Sequence, residues 1–158
     1  MIYPTIIGIL AAGDQLLKRT VEQDTTGVYP RELKNSNGKI LLYRNHNSGF
    51  SFGALKEYPI LIKAIPLSGI SAFGGILAFL IPRKGFHLHK AALSLILAGG
   101  ISNFYDRVIR GYVVDYFSIQ WKKLKDVVFN LGDLFIFLGA ALFAAAELTS
   151  WIHEVLGK

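Results

Sequence analysis

The chain has 158 residues, 52% of them hydrophobic and 18% charged, and a mean hydropathy of +0.40, a balance that excludes an ordinary water-soluble domain and indicates apolar residues that meet lipid. The net charge of +6 is that of a basic membrane protein drawn to anionic headgroups, and no nucleic-acid partner is expected, because no basic run is interleaved with aromatics in a soluble module. The absence of cysteine removes disulfides, thiolate catalysis and cysteine metal sites.

The first apolar stretch, residues 2–17, carries Asp14 and Lys18 at its far end and has neither a basic leader nor a small-residue cleavage site. It is therefore expected to stay in the mature protein as a membrane span. Asp14 and Lys18, four residues apart, share one helix face and can neutralise each other, or serve together as an interfacial anchor. Residues 19–58 are polar and mixed, with a turn signal at Asn35-Ser36-Asn37-Gly38 and a strand-like run at 40–43, which predicts a small β-rich subdomain outside the membrane.

A second span is predicted over 59–81, closed by Pro82 and interrupted only by Lys63, which lies near enough to one end to snorkel. His87 and His89 follow in a loop with Arg83, Lys84 and Lys90, where cation binding is opposed, so no metal site is expected. The third span covers 90–104. At its loop end Asn103 and Asp106 stand three residues apart with Arg107 beside them, and an Arg107 pair with Asp106 or with a headgroup explains that cluster without any chemistry. In the second long loop, 106–130, Asp115 interrupts the β-branched and aromatic run 112–117, where a carboxylate is desolvated unless paired. Trp121, Lys122, Lys123 and Lys125 suit a membrane interface, and Asp126 among them reads as a solvated surface acid.

The fourth span, 131–151, is preceded by Asn130. Asn130 and Asp133 fit an N-cap with an acid three residues on, although capping explains Asn130 better than Asp133. The expected fold is therefore an α-helical integral membrane protein, a single domain with four transmembrane helices and a small extracytoplasmic β-rich subdomain. Both long loops lie on one side. They hold eleven Lys and Arg against four on the other side, a count that by itself places the long loops in the cytoplasm.

Ionisable groups beside apolar spans cost roughly 2.5 to 3.5 kcal/mol on insertion scales, so each is a site hypothesis. Asp115 and Asp133, if they converge, form a useful unit: two like charges close together split their pKa values and leave an acid and a base near neutrality. Such a pair can activate a water toward an amide carbonyl. A small proton-coupled carrier or a membrane scaffold subunit could use the same carboxylates, although a carrier should show paired, interrupted halves, and none is visible.

Four blocks in order resemble one family. Asp14-Gln15-Leu16-Leu17-Lys18 looks like DQxxK; His46-Asn47-Ser48-Gly49-Phe50-Ser51-Phe52-Gly53 resembles N-x-G-A-A-F-G; Asn103 to Arg107 and Val113-Val114-Asp115-Tyr116-Phe117 are similar to GNxxDR and VVDF; Asn130-Leu131-Gly132-Asp133 looks like N-x-A-D. Together they resemble the lipoprotein signal peptidases, or signal peptidase II. The resemblance implies an aspartic endopeptidase with Asp115 and Asp133 as catalytic dyad, and Asn47, Gly49, Asn103, Asp106, Arg107, Asn130, Asp14 and Lys18 binding substrate or supporting the site. It implies a diacylglyceryl-modified prolipoprotein as substrate, cut on the amino side of the lipidated cysteine. It also implies a monomer in the bacterial inner membrane, in contact with membrane lipids, with the site facing outward, no cofactor, and the charge-count orientation reversed. Three departures stand out: Phe50 and Ser51 in place of paired alanines, Ser102 for a glycine, and Gly132 for an alanine, the last two read as packing exchanges.

Overall fold

A computed structural model of the chain describes residues 2–50 and 54–157. In chain order it has helix α1 (Ile2–Glu22), strands β1 (Arg31–Glu32) and β2 (Ile40–Asn47), helices α2 (Pro59–Leu80) and α3 (His87–Ile109), strand β3 (Val113–Ile119), a 3-10 turn (Lys122–Asp126) and helix α4 (Leu131–Leu156). α2 opens with Pro59 in its first turn, where a missing N–H costs nothing, and ends before Pro82. α4 opens on Asn130, whose side chain accepts from the Asp133 amide while the Asp133 carboxylate accepts from the Asn130 amide, a full capping box.

α3 is the centre of the bundle and packs against each of the other three helices. Eleven of its residues are buried, against two or three in each of the others. The apolar core gathers Leu77, Leu93 and Leu97 with Ile7, Ile70 and Phe143 around them, so all four helices contribute. α3 and α4 approach closely at Gly99, where an added Cβ would lie 2.1 Å from the Gly132 carbonyl oxygen. Only glycine permits that approach.

Among the described residues α2 and α4 are long and apolar enough to cross a membrane. α1 and α3 dilute their apolar residues with ionisable ones: Asp14, Lys18 and Arg19 in the first, Lys90, Asp106 and Arg107 in the second. Large apolar side chains such as Ile60, Phe79, Phe137, Leu138 and Leu148 stand exposed on the bundle's outer surface. A surface of that kind suits lipid and not water.

The helices and strands differ from the sequence expectation at their ends. α1 continues to Glu22 and α3 to Ile109, so Asp106 and Arg107 belong to a helix and not to the loop expected over 106–130. The reason is that their polar groups are satisfied inside the protein, which lets each helix run past the apolar stretch.

The β-rich region is a three-stranded antiparallel sheet in the order β1-β2-β3. β2 faces β3 with Leu42 opposite Phe117 and Asn45 opposite Asp115, so β2 spends one extra residue between these pairs. Such a bulge re-aims the strand beyond it, and it brings Asn47 into reach of Asp115. β3 is buried along nearly its whole length. Its two-residue period sends Asp115 to the face opposite Tyr116.

Candidate active site

Two polar clusters meet where the sheet rests on the helix ends. The inner one is fully buried. Lys18 Nζ lies 2.8 Å from Asp14 Oδ2 and 3.0 Å from Asp106 Oδ2, and all three side chains are shut off from solvent. The pair expected from the four-residue spacing is present, with Asp106 as a second anion that ties α1 to α3. Arg110 forms an ion pair with Asp106, so two cations offset two anions. Ser102 Oγ donates to Asp14 at 2.6 Å, and Gln15 Nε2 donates to Ser102 Oγ and to Asp106 at 3.0 Å each. Ser102 is thus a member of the hydrogen-bond network and not a packing exchange.

The pairing of Arg107 with Asp106 does not form. Adjacent helical residues diverge by about 100°, so they cannot face each other. Asp106 turns toward Lys18 and Arg110, whereas Arg107 donates to the Asn103 carbonyl at 3.1 Å and the Gly49 carbonyl at 3.2 Å. The Phe50 ring lies over the Arg107 guanidinium at 5.1 Å. Arg107 Nε is the one buried side-chain polar atom left without a partner among the described residues.

The outer cluster faces a cavity of about 690 Å³. Asn47, Phe50, Asn103, Arg107, Asp115 and Asp133 line its polar part, and α2, α3 and α4 supply an apolar wall. Asp115 is 4% exposed and accepts from Asn130 Nδ2 at 2.8 Å and Asn47 Nδ2 at 3.2 Å. Asp133 accepts from Asn103 Nδ2 at 2.9 Å and from the Asn130 amide at 3.2 Å. Among the described residues no cation forms an ion pair with either carboxylate; amides hold them. Burial above all, and then the Asp133 charge, push Asp115 up to about 6, while the Asn130 and Asn47 hydrogen bonds pull the other way.

Asn103 joins the two clusters, since its oxygen accepts from Lys18 at 2.7 Å while its amide holds Asp133. Asn130 joins the two carboxylates in the same manner, bonding Asp115 with its amide and the Asp133 N–H with its oxygen. Gly132, at a Cβ-excluding distance from Asn130 Oδ1, leaves room for this crossing of polar groups. Of the residues singled out in the sequence, Asp115, Asp133, Asn47, Asn103 and Arg107 reach the cavity, whereas Asp14, Lys18, Asp106, Asn130 and Gly49 stand behind it. Ser51, Phe52 and Gly53 lie outside the described residues. Sequence reasoning gave no role to Gln15, Arg110 or Tyr116. The only signal for the last was a tyrosine where the VVDF pattern has its phenylalanine.

Apolar lipid-suited helices, a small sheet and two buried carboxylates on one cavity define a helical membrane protein with a polar cavity at the end of its bundle. Solved structures of bacterial membrane enzymes share the fold: one superposes with a TM-score of 0.77 over 93% of this chain and 87% of its own at 23% identity, another with 0.76 over 92% of each. A family model described as Signal peptidase (SPase) II matches residues 6–149. The lipoprotein signal peptidase of Mesorhizobium japonicum is 30% identical over 152 residues, covering 96% of this chain and 88% of its own. That of Serratia marcescens is 34% identical over 154 residues, covering 91% and 83%. The chain belongs to the signal peptidase II family of aspartic peptidases.

Proposed function

We propose that this protein cuts diacylglyceryl-modified prolipoproteins on the amino side of the lipidated cysteine, with Asp115 and Asp133 as its catalytic pair. The observation that carries the proposal is the shared cavity: two carboxylates, each held by amides and not by a direct ion pair among the described residues, beside an apolar wall. A lipidated peptide presents its scissile bond near the headgroups with its acyl chains in the bilayer. A cavity polar at the sheet end and apolar between helices matches both parts.

In this reading the active pair shares one proton, which it holds up to about pH 6, and titrates as a unit. The ionised carboxylate takes a proton from a water, the water oxygen bonds to the scissile carbonyl carbon, and the protonated carboxylic acid supports the carbonyl oxygen as it gains charge. Collapse of the tetrahedral intermediate breaks the C–N bond, and a proton from the pair goes to the leaving nitrogen. Arg107 lines the cavity, and its guanidinium supplies a positive charge there beside the pair. Asn47, Gly49, Asn103 and Asn130 hold the pair or Arg107, and Asp14, Lys18 and Asp106 brace the helices behind them.

We place all four helices across the bacterial inner membrane, α1 and α3 with their polar ends at the outer interface, and the sheet outside, with the chain acting as a monomer. The balanced buried ion cluster supports this, because Asp14, Lys18 and Asp106 are neutralised inside the protein before they would meet lipid. Purified protein should release the signal peptide from a diacylglyceryl-modified precursor and leave the unmodified precursor uncut; equal cutting of both would remove the substrate assignment. Reporters fused near Gly38 and in the 83–90 loop should report outside and cytoplasm respectively, and the opposite pattern would remove the outward-facing site.

A further inference from the structure

The face of β3 opposite Asp115 holds a residue that neither the spacing arguments nor the mechanism uses. Tyr116 is 5% exposed, and its amide is fixed by the Phe129 carbonyl at 2.8 Å. Its hydroxyl donates to Asp14 Oδ1 at 3.0 Å and accepts from the Leu131 amide at 3.0 Å. Leu131 is the first residue of α4, and its amide is one of those a helix leaves without an internal partner. The same amide reaches Asp14 Oδ1 at 3.1 Å, so amide, phenol and carboxylate form a closed triangle. Burial foremost, and then the Asp14 charge, raise the phenol's pKa, so the hydroxyl keeps its proton and remains a donor.

We infer that Tyr116 is a positioning residue for the carboxylate pair: its hydroxyl, set between Asp14 and the Leu131 amide, holds the first turn of α4 in register with the strand that carries Asp115. Asp133 sits two residues after Leu131 in that turn, and Asp115 is the residue before Tyr116, so one phenol bridges the two backbones that bear the pair. The triangle also ties both to Lys18 through Asp14, and Lys18 reaches Asp133 through Asn103. Removing the hydroxyl alone leaves the Leu131 amide its bond to Asp14 and leaves the ring beside Phe117. Packing therefore survives, and what is lost is the fixed spacing of two groups whose chemistry depends on it.

This inference rests on the proposed peptidase reading, and the test separates the two. The purified full chain and its Tyr116→Phe variant are compared on a diacylglyceryl-modified precursor, with backbone amide hydrogen exchange followed in parallel. The variant should lose about three- to tenfold in kcat, part of the worth of one hydrogen bond to a charged group, because the Leu131 amide keeps its own bond to Asp14. Its KM should stay within about twofold, as for a group that acts on the reacting pair and not on substrate binding. Its thermal midpoint should hardly move, while exchange at Leu131 quickens. In an Asp14→Asn background the second change should subtract less than it does alone, because the two act through one triangle. A normal kcat with normal Leu131 exchange would overturn the inference, and so would a parallel fall in kcat and thermal midpoint that adds fully to Asp14→Asn. If the unaltered chain cuts nothing, the peptidase reading fails, and the exchange comparison still decides whether Tyr116 holds the α4 turn.

Discussion

The two acidic clusters of this protein lie side by side and are built in opposite ways. Asp14 and Asp106 are as deeply buried as any residue in the chain, and each meets a cation, Lys18 between them and Arg110 beyond. Asp115 and Asp133 are held by amides, form no ion pair among the described residues, and face an open cavity that Arg107 also lines. Burial by itself therefore does not tell the two clusters apart. A carboxylate in a direct ion pair in a low-dielectric setting is a strut, whereas a pair without one, uncompensated in that sense, keeps the capacity to exchange a proton near pH 6.

The largest effects should come from the uncompensated pair. Asp115→Asn and Asp133→Asn keep volume but cannot ionise, and each turns one of two accepting oxygens into a donor. Each should take cleavage of a lipidated precursor to background, beyond the roughly 10²- to 10⁴-fold that acid–base catalysis supplies. If either purified, folded variant kept more than a few per cent of turnover, the two-carboxylate mechanism would be wrong. The pair also sets the pH behaviour: kcat/KM should fall as pH rises past about 6, where Asp115 gives up its proton and the pair loses its acid.

Stability should move in the other direction. An acid whose folded pKa stands at about 6, above its ordinary 3.8, binds more protons folded than unfolded. Its burden on stability is absent well below pH 4, grows between about 4 and 6, and is complete above. Asp115→Asn should therefore raise the thermal midpoint at pH 8 and lose that advantage near pH 4. The gain at pH 8 has an upper bound of about 3 kcal/mol, from roughly two pKa units at 1.36 kcal/mol each. A midpoint difference independent of pH would show that Asp115 is not strained by its charge.

The compensated cluster should respond in stability first. Lys18→Met strands two buried anions, one of which keeps only Arg110, and should cost about 3–5 kcal/mol. Asp14→Asn should cost less, because Lys18 retains Asp106 at 3.0 Å and Asn103 at 2.7 Å. Thermal unfolding of the two variants gives the order, and the reverse order would mean that Lys18 serves Asp14 alone.

How much of this was legible in the sequence follows the range of each interaction. Contacts within one helix turn could be read directly: the Asp14–Lys18 pair and the Asn130–Asp133 capping box are i, i+4 and i, i+3 features, and both are present. The Lys18–Asp106 pair and the Tyr116 triangle join residues far apart in the chain, and no spacing rule reaches them. Helix ends were misplaced for a related reason, since α1 and α3 continue through polar residues whose partners come from other elements. The convergence of Asp115 and Asp133 on one cavity was legible only through the family resemblance, because periodicity places one on a strand and the other on a helix without relating them.

Two smaller changes at the cavity sharpen the contrast. Phe50 lines the cavity and covers the Arg107 guanidinium, so Phe50→Ala removes a wall and a cation–π contact worth about 0.5–2 kcal/mol. Folding should persist and substrate preference or rate should shift modestly, toward bulkier residues beside the cleavage point. A complete loss of cleavage would show that the ring does more than shape the wall.

The smallest effect should come from an acid at the same cavity that lacks the pair's environment. Asp126 lines the rim, yet it is exposed, and it follows Lys122, Lys123 and Lys125 in the 3-10 turn. Water can solvate it in either protonation state, and the neighbouring lysines screen it, so neither its charge nor its removal should reach the reacting groups. Asp126→Asn should leave kcat, KM and the thermal midpoint within error of the unaltered chain, while Asp115→Asn, on the strand before that turn, abolishes turnover. The variant separates two explanations of the site, since a cavity that worked through its total negative charge would respond to the loss of any acid on its lining. A fall of more than a few-fold in kcat/KM for Asp126→Asn would favour that diffuse electrostatic account over a desolvated pair acting at defined atoms.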